Sequence, residues 1–428
     1  MTLETSFPPG LTVPVLTGAA RPGLCTDCGV SRMDDGRACG RACQFIKPDY
    51  PALERAAHGR VADPARWQEA FFGTISQMHR ARLDPPAAGA QWTGITTALA
   101  AELLRQGSVD AVLTMAPDPE DRWKPLPVIV TDPDALAQCR GMRMGYAPLL
   151  SLLEPARAAG HQRIAVIGIP CQIYALRALE AELGFTRIYV IGTPCSDNTT
   201  TENFHRFLAL LDADPDRISY LEFRADFNVE LRFDDGRKAR MIPFLQLPIS
   251  QLPADFFPMT CKTCVDYTNR LADITVGYMG GDGDQWIISR NARGDEMLAR
   301  LGTRLKTAAL TDKGKRASAV RSFMANTERA AGGMPLRRMP DWLRPIVSFL
   351  QPRIGPRGLE FARTRVEMKA IETVLHLRRA HPARLKNMVP AHVWRLVAPY
   401  GLTPAPDEKP AAGADTAPQP LAPPAKQD

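Results

Sequence analysis

Between Gly94 and Gly192 the chain alternates between two hydrophobic periods. "GITTALAAELLRQG" repeats its apolar residues at helical spacing and stops at Gly107. "VDAVLTM" and "LPVIVTD" are instead short continuous apolar runs, the pattern of strands buried on both faces. "PLLSLLEPARAAG" returns to the helical period, "RIAVIGIP" reads as a strand, "QIYALRALEAELG" as a helix and "RIYVIGTPC" as a strand. Strands alternating with helices predict an α/β domain with a mostly parallel sheet. Upstream, "ARWQEAFFGTISQMHR" (65–80) has helical spacing and is broken by "LDPPAAGAQ".

From residue 218 the period shortens to two. "ISYLEFRA", "VELRFDDG" and "RKARMIPF" predict antiparallel strands, with Asp235-Gly236 as a hairpin signal. "ADITVGYMGGDGDQWIISRN" predicts two strands around a glycine-rich turn. Beyond 340, prolines divide what reads as a series of short basic helices. The last 28 residues hold seven prolines and seven alanines and read as disordered. These textures divide the 428 residues into an arm (1–24), a cysteine segment (25–64), an α/β domain (65–217), a mixed β domain (218–335), a basic helical region (336–400) and a tail (401–428).

Hydrophobic content of 45% and charged content of 23% suit a globular chain. No basic start leads into an apolar core, and no apolar run reaches the roughly 18 residues of a spanning helix. The expectation is a cytoplasmic protein without a transmembrane segment. The net charge of +7 is concentrated: Arg337 to Lys386 carries twelve Lys and Arg against four Asp and Glu. On charge alone this reads as a solvated helix face; it also suits an acidic protein, an acidic substrate or peripheral contact with anionic lipid. Nucleic acid is disfavoured, since the aromatic residues among the basic ones (Trp342, Phe349 and Phe361) are too sparse for a stacking surface.

Nine cysteines change the picture. In a cytoplasmic chain, clustered cysteines point to metal or redox chemistry rather than to disulfides. Cys25, Cys28, Cys39 and Cys43 form C-x2-C-x10-C-x3-C, a spacing that suits zinc and an iron–sulfur cluster equally. With glycines between the thiols and no apolar stripe, this segment is expected to take its order from what it binds. Cys171 and Cys195 each follow a proline at the end of a strand, where α/β sheets bind ligands. Cys261 and Cys264 form "CKTC" just before "ADITVGYMG". These four read as a second site drawn from three places, or as two buried cysteines beside half a zinc site. Cys139 reads as a small buried hydrophobe. Two redox centres would call for a flavin to convert single electrons into a hydride. "GAQWTG" (89–94) and "GYMGGDGD" (277–284) offer backbone N–H groups to phosphates, though neither fits G-x-G-x-x-G.

Taken together, "GAQWTGITTALAAELLRQGSVDAVL", "GIPCQIYALRALE", "IGTPCSDNTT", "CKTCVDYTNRLADITVGYMG" and "GPRGLEFAR" resemble the β-subunits of coenzyme F420 hydrogenases and dehydrogenases, over about residues 22 to 380. Within that family the chain is most similar to the branch that reduces chlorophyll pigments. The resemblance implies FAD and two [4Fe-4S] clusters. One cluster would be held by Cys25, Cys28, Cys39 and Cys43, the other by Cys171, Cys195, Cys261 and Cys264. It places FAD against Trp92, Thr93, Gly94, Asn198, Thr199, Asp273, Gly277 and Tyr278. It implies that reduced ferredoxin loads the N-terminal cluster and that a chlorophyllide-type pigment is reduced at its 8-vinyl group. The alternatives are reduction of a 7-hydroxymethyl group, or deazaflavin chemistry and electron transfer as in the wider family. Asp197, Asp266 and Tyr267, beside the cysteine motifs, are the candidate proton donors. The glycine stretch after Met279 is shorter than in plant-type members, which implies a differently shaped pocket. Association into a homo-oligomer is left open.

Overall fold

Among the described residues, the alternating runs build the centre of a nine-stranded sheet. The computed structural model describes residues 7–16, 25–46, 48–224, 226–278, 284–334, 339–340 and 342–409. The first strands are β1 (Leu11–Thr12), β2 (Gln77–Leu83), β3 (Ala111–Pro117), β4 (Pro125–Val130), β5 (Arg163–Gly168) and β6 (Arg187–Gly192). A separate three-stranded antiparallel sheet follows: β7 (Ile218–Phe223), β8 (Asn228–Phe233) and β9 (Arg240–Pro243). Then β10 (Ile274–Gly277), β11 (Gln285–Ser289) and β12 (Leu305–Ala308) return to the main sheet, ordered β1-β4-β3-β5-β6-β10-β11-β2-β12. Its centre, β3-β5-β6-β10, is parallel, and both flanks are antiparallel. The stretch 218–335 is therefore divided between two sheets.

Successive residues of the central strands enter two different cores. Val112, Ala165, Tyr189 and Ile191 pack with Leu99 and Met297, from the helices Ile95–Arg105 and Ala292–Arg300. Leu113, Ile164, Val166, Ile188 and Val190 pack with Leu153 and Ile173, from the helices Leu153–Ala158 and Pro170–Leu179. A strand covered on both faces must be apolar at every position, which is why these strands read as unbroken runs. The small sheet packs its Ile218, Leu221 and Leu231 against Phe204 and Leu208 of the helix Thr201–Leu211.

Five expectations are corrected. In 65–80 only Trp67–Phe72 is helical; Gly73, at φ 80°, ends it, and residues from Gln77 pair with β11. The arm contributes β1, which pairs with β4. The cysteine segment is not without apolar packing, since Val30, Ala38 and Ala42 are buried in the core with Leu149 and Leu150. The basic region is only in part a solvated face. Its main element is one 22-residue helix, Leu359–Ala380, which buries Ala362, Val366, Ala370, Ile371 and Val374. Its charges are answered internally: Glu360 and Glu367 pair with Arg316, and Arg363 lies 3.7 Å over the Trp67 ring. Finally, 401–409 is held to that helix by the Arg378–Glu408 pair at 2.7 Å; the rest of the tail lies outside the described residues, as does 279–283 of the glycine-rich turn.

His58 ties the N-terminal segment to the sheet and makes stability depend on pH. Its Nε2–H donates to the Arg270 carbonyl at 3.0 Å, and its Nδ1 accepts from Asn291 Nδ2 at 3.1 Å. Burial, with Arg177 and Arg290 adding to it, lowers this imidazole to about 3. Protonation would set an N–H against the Asn291 amide. The unfolded chain takes up that proton near pH 6.5, so it binds more protons than the folded one below that pH. Stability should thus be fully present above pH 6.5 and fall by about 1.4 kcal/mol per unit as pH drops towards 3. Denaturant titrations of wild type and His58→Gln between pH 7 and 4.5 check this: the variant's stability should fall less steeply, and equal slopes would refute the assignment.

Candidate active site

Strand register brings the second set of cysteines together. β5 and β6 pair in parallel up to Gly168↔Gly192, and each continues into a proline and a cysteine. Cys171 and Cys195 therefore leave the sheet side by side, Cys171 in the first turn of the helix Pro170–Leu179. β10 runs parallel to β6, so Tyr278 emerges at the same edge. A Cβ on Gly277 would sit 2.2 Å from Pro194 Cγ, so only glycine lets the Cys195 turn lie against this strand. Cys261 and Cys264 come from a single helical turn, Met259–Lys262, and its end. The following chain is stitched to the strand ends. Asn269 Nδ2 donates to the Gly168 carbonyl at 2.8 Å, and the Cys195 N–H donates to the Tyr267 carbonyl at 3.0 Å. Cys171, Cys195, Cys261 and Cys264 thus line one cleft, closed from the N-terminal segment by Thr26, Gln44 and Phe45.

The first set lies next door. The Leu150 N–H donates to the Cys28 carbonyl at 2.9 Å, and the Asp27 N–H points at Cys25 Sγ at 3.2 Å. Gly29, at φ 108°, permits this approach: a Cβ there would be 2.5 Å from the Ser151 nitrogen. Gln44 Nε2 lies 3.7 Å from Cys264 Sγ and its Oε1 accepts from Tyr50 Oη at 2.8 Å, linking the two sets. Tyr146 stands between them: burial raises its hydroxyl, and Cys261, Cys171 and Cys25 raise it further.

All nine cysteines are free thiols, and Cys139 is packed at the edge of the core as the sequence suggests. Burial pushes Cys28 and Cys261 up to about 12 and Cys264 to about 11, and holds Cys171 and Cys195 well above the ordinary thiol range. Neighbouring cysteines add to this at Cys28 and Cys171. Such thiols keep their protons at neutral pH unless a bound cation takes their place. Among the described residues no group of three or more His, Cys, Asp or Glu side chains is arranged to hold a single metal ion. Two sets of four free thiols, one lining a common cleft and the other reached by backbone N–H groups, fit thiolate-held clusters in donor chemistry.

The residue that sequence reasoning missed is Lys369. It is buried on the helix Leu359–Ala380 and donates to Asp197 Oδ1 at 2.9 Å, Glu372 Oε2 at 3.0 Å and the Cys261 carbonyl at 2.5 Å. Burial disfavours its charge, but Asp197 and Glu372 outweigh it and hold the ammonium well above its ordinary value. Thr373 Oγ1 donates to the Cys264 carbonyl at 3.1 Å. The one hint in the sequence was Glu372 three residues after Lys369.

The flavin candidates divide. Trp92 and Tyr278 meet, ring centroids 5.2 Å apart, and Gly94 opens the helix Ile95–Arg105 beside them at φ 85°. Thr93 is engaged with Leu83 and Gln285. Asn198 holds both polar groups of Gly145, and Thr199 donates to the Phe256 carbonyl. Asp273 is not at the cleft: it is buried at the start of β10, accepting from Arg177, Val190, Asn291 and Arg293. Of the acids, Asp197 and Asp266 line the cleft, Asp266 already accepting from the Arg270 N–H, while Tyr267 belongs to the helical core.

Residues 78–154 match the N-terminal part, and residues 161–313 the C-terminal part, of the coenzyme F420 hydrogenase/dehydrogenase beta subunit. The chain is 36% identical to an uncharacterized protein of Nostoc sp., over 89% of this chain and 94% of that one. It is 34% identical to 7-hydroxymethyl chlorophyll a reductase of Oryza sativa subsp. japonica, over 92% of this chain and 85% of that one. A coenzyme F420 hydrogenase beta subunit, that of Methanothermobacter thermautotrophicus, is 26% identical over 49% of this chain and 74% of its own length. A chain of the F420-reducing [NiFe] hydrogenase complex from Methanosarcina barkeri shares the fold, with a TM-score of 0.50, 22% identity and coverage of 56% of this chain and 84% of that one. The chain belongs to the family of coenzyme F420 hydrogenase/dehydrogenase β-subunits. Within it, the likeness that runs nearly end to end is to the chlorophyll-reductase branch.

Proposed function

We propose that this protein is a reductase of a chlorophyll-type pigment that draws electrons singly from reduced ferredoxin and converts the 8-vinyl group of divinyl (proto)chlorophyllide to ethyl. The carrying observation is the convergence of four cysteines from three chain segments on one cleft, at the strand edge where Tyr278 emerges to meet Trp92. Cys25, Cys28, Cys39 and Cys43 would hold one [4Fe-4S] cluster, and Cys171, Cys195, Cys261 and Cys264 the other. Trp92, Gly94, Gly277 and Tyr278 would line the FAD site, with Thr93, Asn198 and Thr199 fixing its loops and Asp273 bracing β10 from behind. FAD, when bound, supplies the conversion of single electrons into a hydride. Reduction of the vinyl group takes two electrons and two protons, and Asp197, held by Lys369, is the carboxyl in the cleft without a backbone partner. Gln44 and Tyr146 stand between the two cysteine sets.

The Oryza relative favours a second reading, in which a 7-hydroxymethyl group takes two electrons and two protons to give methyl and water. Pigment chromatography separates the two. Given reduced ferredoxin, the protein should yield the 8-ethyl product faster than it reduces a 7-hydroxymethyl pigment. The 7-methyl product alone would move the assignment to the second reading, and reaction with the deazaflavin alone would return it to the wider family. Anaerobically purified protein should carry about eight irons per chain, with flavin, and Cys25→Ser should remove about half the iron and leave the flavin. One zinc and no visible absorption would end both readings.

A further inference from the structure

We propose that the helix Arg344–Ile354 docks this protein onto the surface of an anionic lipid bilayer. Trp342, Ile346, Phe349, Leu350 and Ile354 follow one another at helical spacing and are 72%, 50%, 67%, 39% and 61% exposed. Single exposed apolar residues are ordinary, but a continuous stripe on one helix face marks an interaction surface. Its charge complements lipid headgroups. From 342 to 359 the sequence has Arg344, Arg353 and Arg357 and no Asp or Glu. Arg353 sits within the stripe, its guanidinium 4.4 Å over the Phe349 ring, and Arg357 donates to the Arg353 carbonyl. Among the described residues neither Arg353 nor Arg357 has a carboxylate partner. An aromatic and aliphatic face with arginines beside it is what a helix lying in the headgroup region presents, the arginine stems covering apolar surface while their heads reach phosphate. Self-association through this face would bring Arg353 and Arg357 of two copies to one interface, with no Asp or Glu between 342 and 359 to pair with them.

The position of the helix agrees with this. A Cβ on Gly355, which ends it, would lie 3.4 Å from Phe227 Cζ. From Phe227 a run of rings leads inward, to Phe361 at 5.8 Å, on to Tyr278 at 5.0 Å and to Trp92 at 5.2 Å. Docking by this helix would set the bilayer surface at the outer end of this run of rings.

Flotation of the holoprotein with vesicles of phosphatidylglycerol and phosphatidylcholine in equal parts tests the proposal. Wild type should float with these vesicles and only weakly with phosphatidylcholine alone. Phe349→Asp and Arg353→Glu should each reduce binding by about tenfold or more with iron and flavin content unchanged. Trp342 emission should shift to the blue on binding, and Trp342→Phe should lose that shift. Wild type staying in the soluble fraction, or Phe349→Asp floating as well as wild type, would overturn the proposal. Undiminished binding to phosphatidylcholine alone would overturn the role given to the arginines. A wild-type oligomer that ignores vesicles and that Phe349→Asp dissociates would reassign the face to contact between copies of the chain.

Discussion

Cys264→Ser should lower pigment reduction by more than about a hundredfold, beyond the 10–100-fold usual for residues that only support ligands. It should also lower the iron from about eight to about four per chain and disturb the flavin absorption. Cys264 is wired to its surroundings on both sides. Gln44 reaches its sulfur from the N-terminal segment, and Thr373 donates to its carbonyl from the helix Leu359–Ala380. A serine oxygen would leave one corner of the cleft without a soft ligand, where the three segments that supply the four thiols meet. Cys139→Ser is the control, since that thiol lies at the edge of the core away from both sets. Full activity of Cys264→Ser with ferredoxin as donor would show that the second cysteine set has been misassigned.

Lys369→Met should destabilise the protein by about 3–5 kcal/mol, the range for removing one partner of a buried ion pair. The ammonium answers two carboxylates and a carbonyl, and its side chain is only 4% exposed. Without it Asp197 is left as a buried carboxyl that burial already pushes up to about 7 against the pull of Lys369. The companion change Asp197→Asn removes one of the two carboxyls left without the ammonium, so the double variant should recover part of the loss. A double-mutant cycle in urea, with iron content read in parallel, measures this. Additive losses would mean that the pair is not the unit it looks to be.

Much of the sheet was legible because burial on both faces leaves a local trace. Runs such as "RIAVIG" and "RIYVIG" have few alternatives once helices flank them. That Cys171 and Cys195 lie side by side was legible for a related reason: each directly follows a strand of the parallel sheet, and such strand ends are where α/β sheets place their clefts. The errors fell where local pattern is ambiguous or where a distant partner decides. "ISQMHR" continues a helical period on paper, yet pairing with β11 wins for a segment this short. The cysteine segment looked too polar to pack, but Val30, Ala38 and Ala42 bury themselves with Leu149 and Leu150, residues distant in sequence.

By itself the sequence determined the alternation of helices and strands, the two groups of four thiols and the family. The helix and strand alternation and the two close cysteine motifs are written in spacings of a few residues, where side-chain period and loop chemistry act directly; the family came from the resemblance of the longer motifs. Tertiary structure alone decided which charges are buried. Twelve basic residues between Arg337 and Lys386 look alike as text. In the fold Lys369 is walled in beside Cys261, Arg363 stacks on Trp67, and Arg353 remains on an exposed apolar stripe. The reason is physical: a charge is tolerated inside only where carboxylates and carbonyls from other segments meet it, and those partners lie up to 172 residues away.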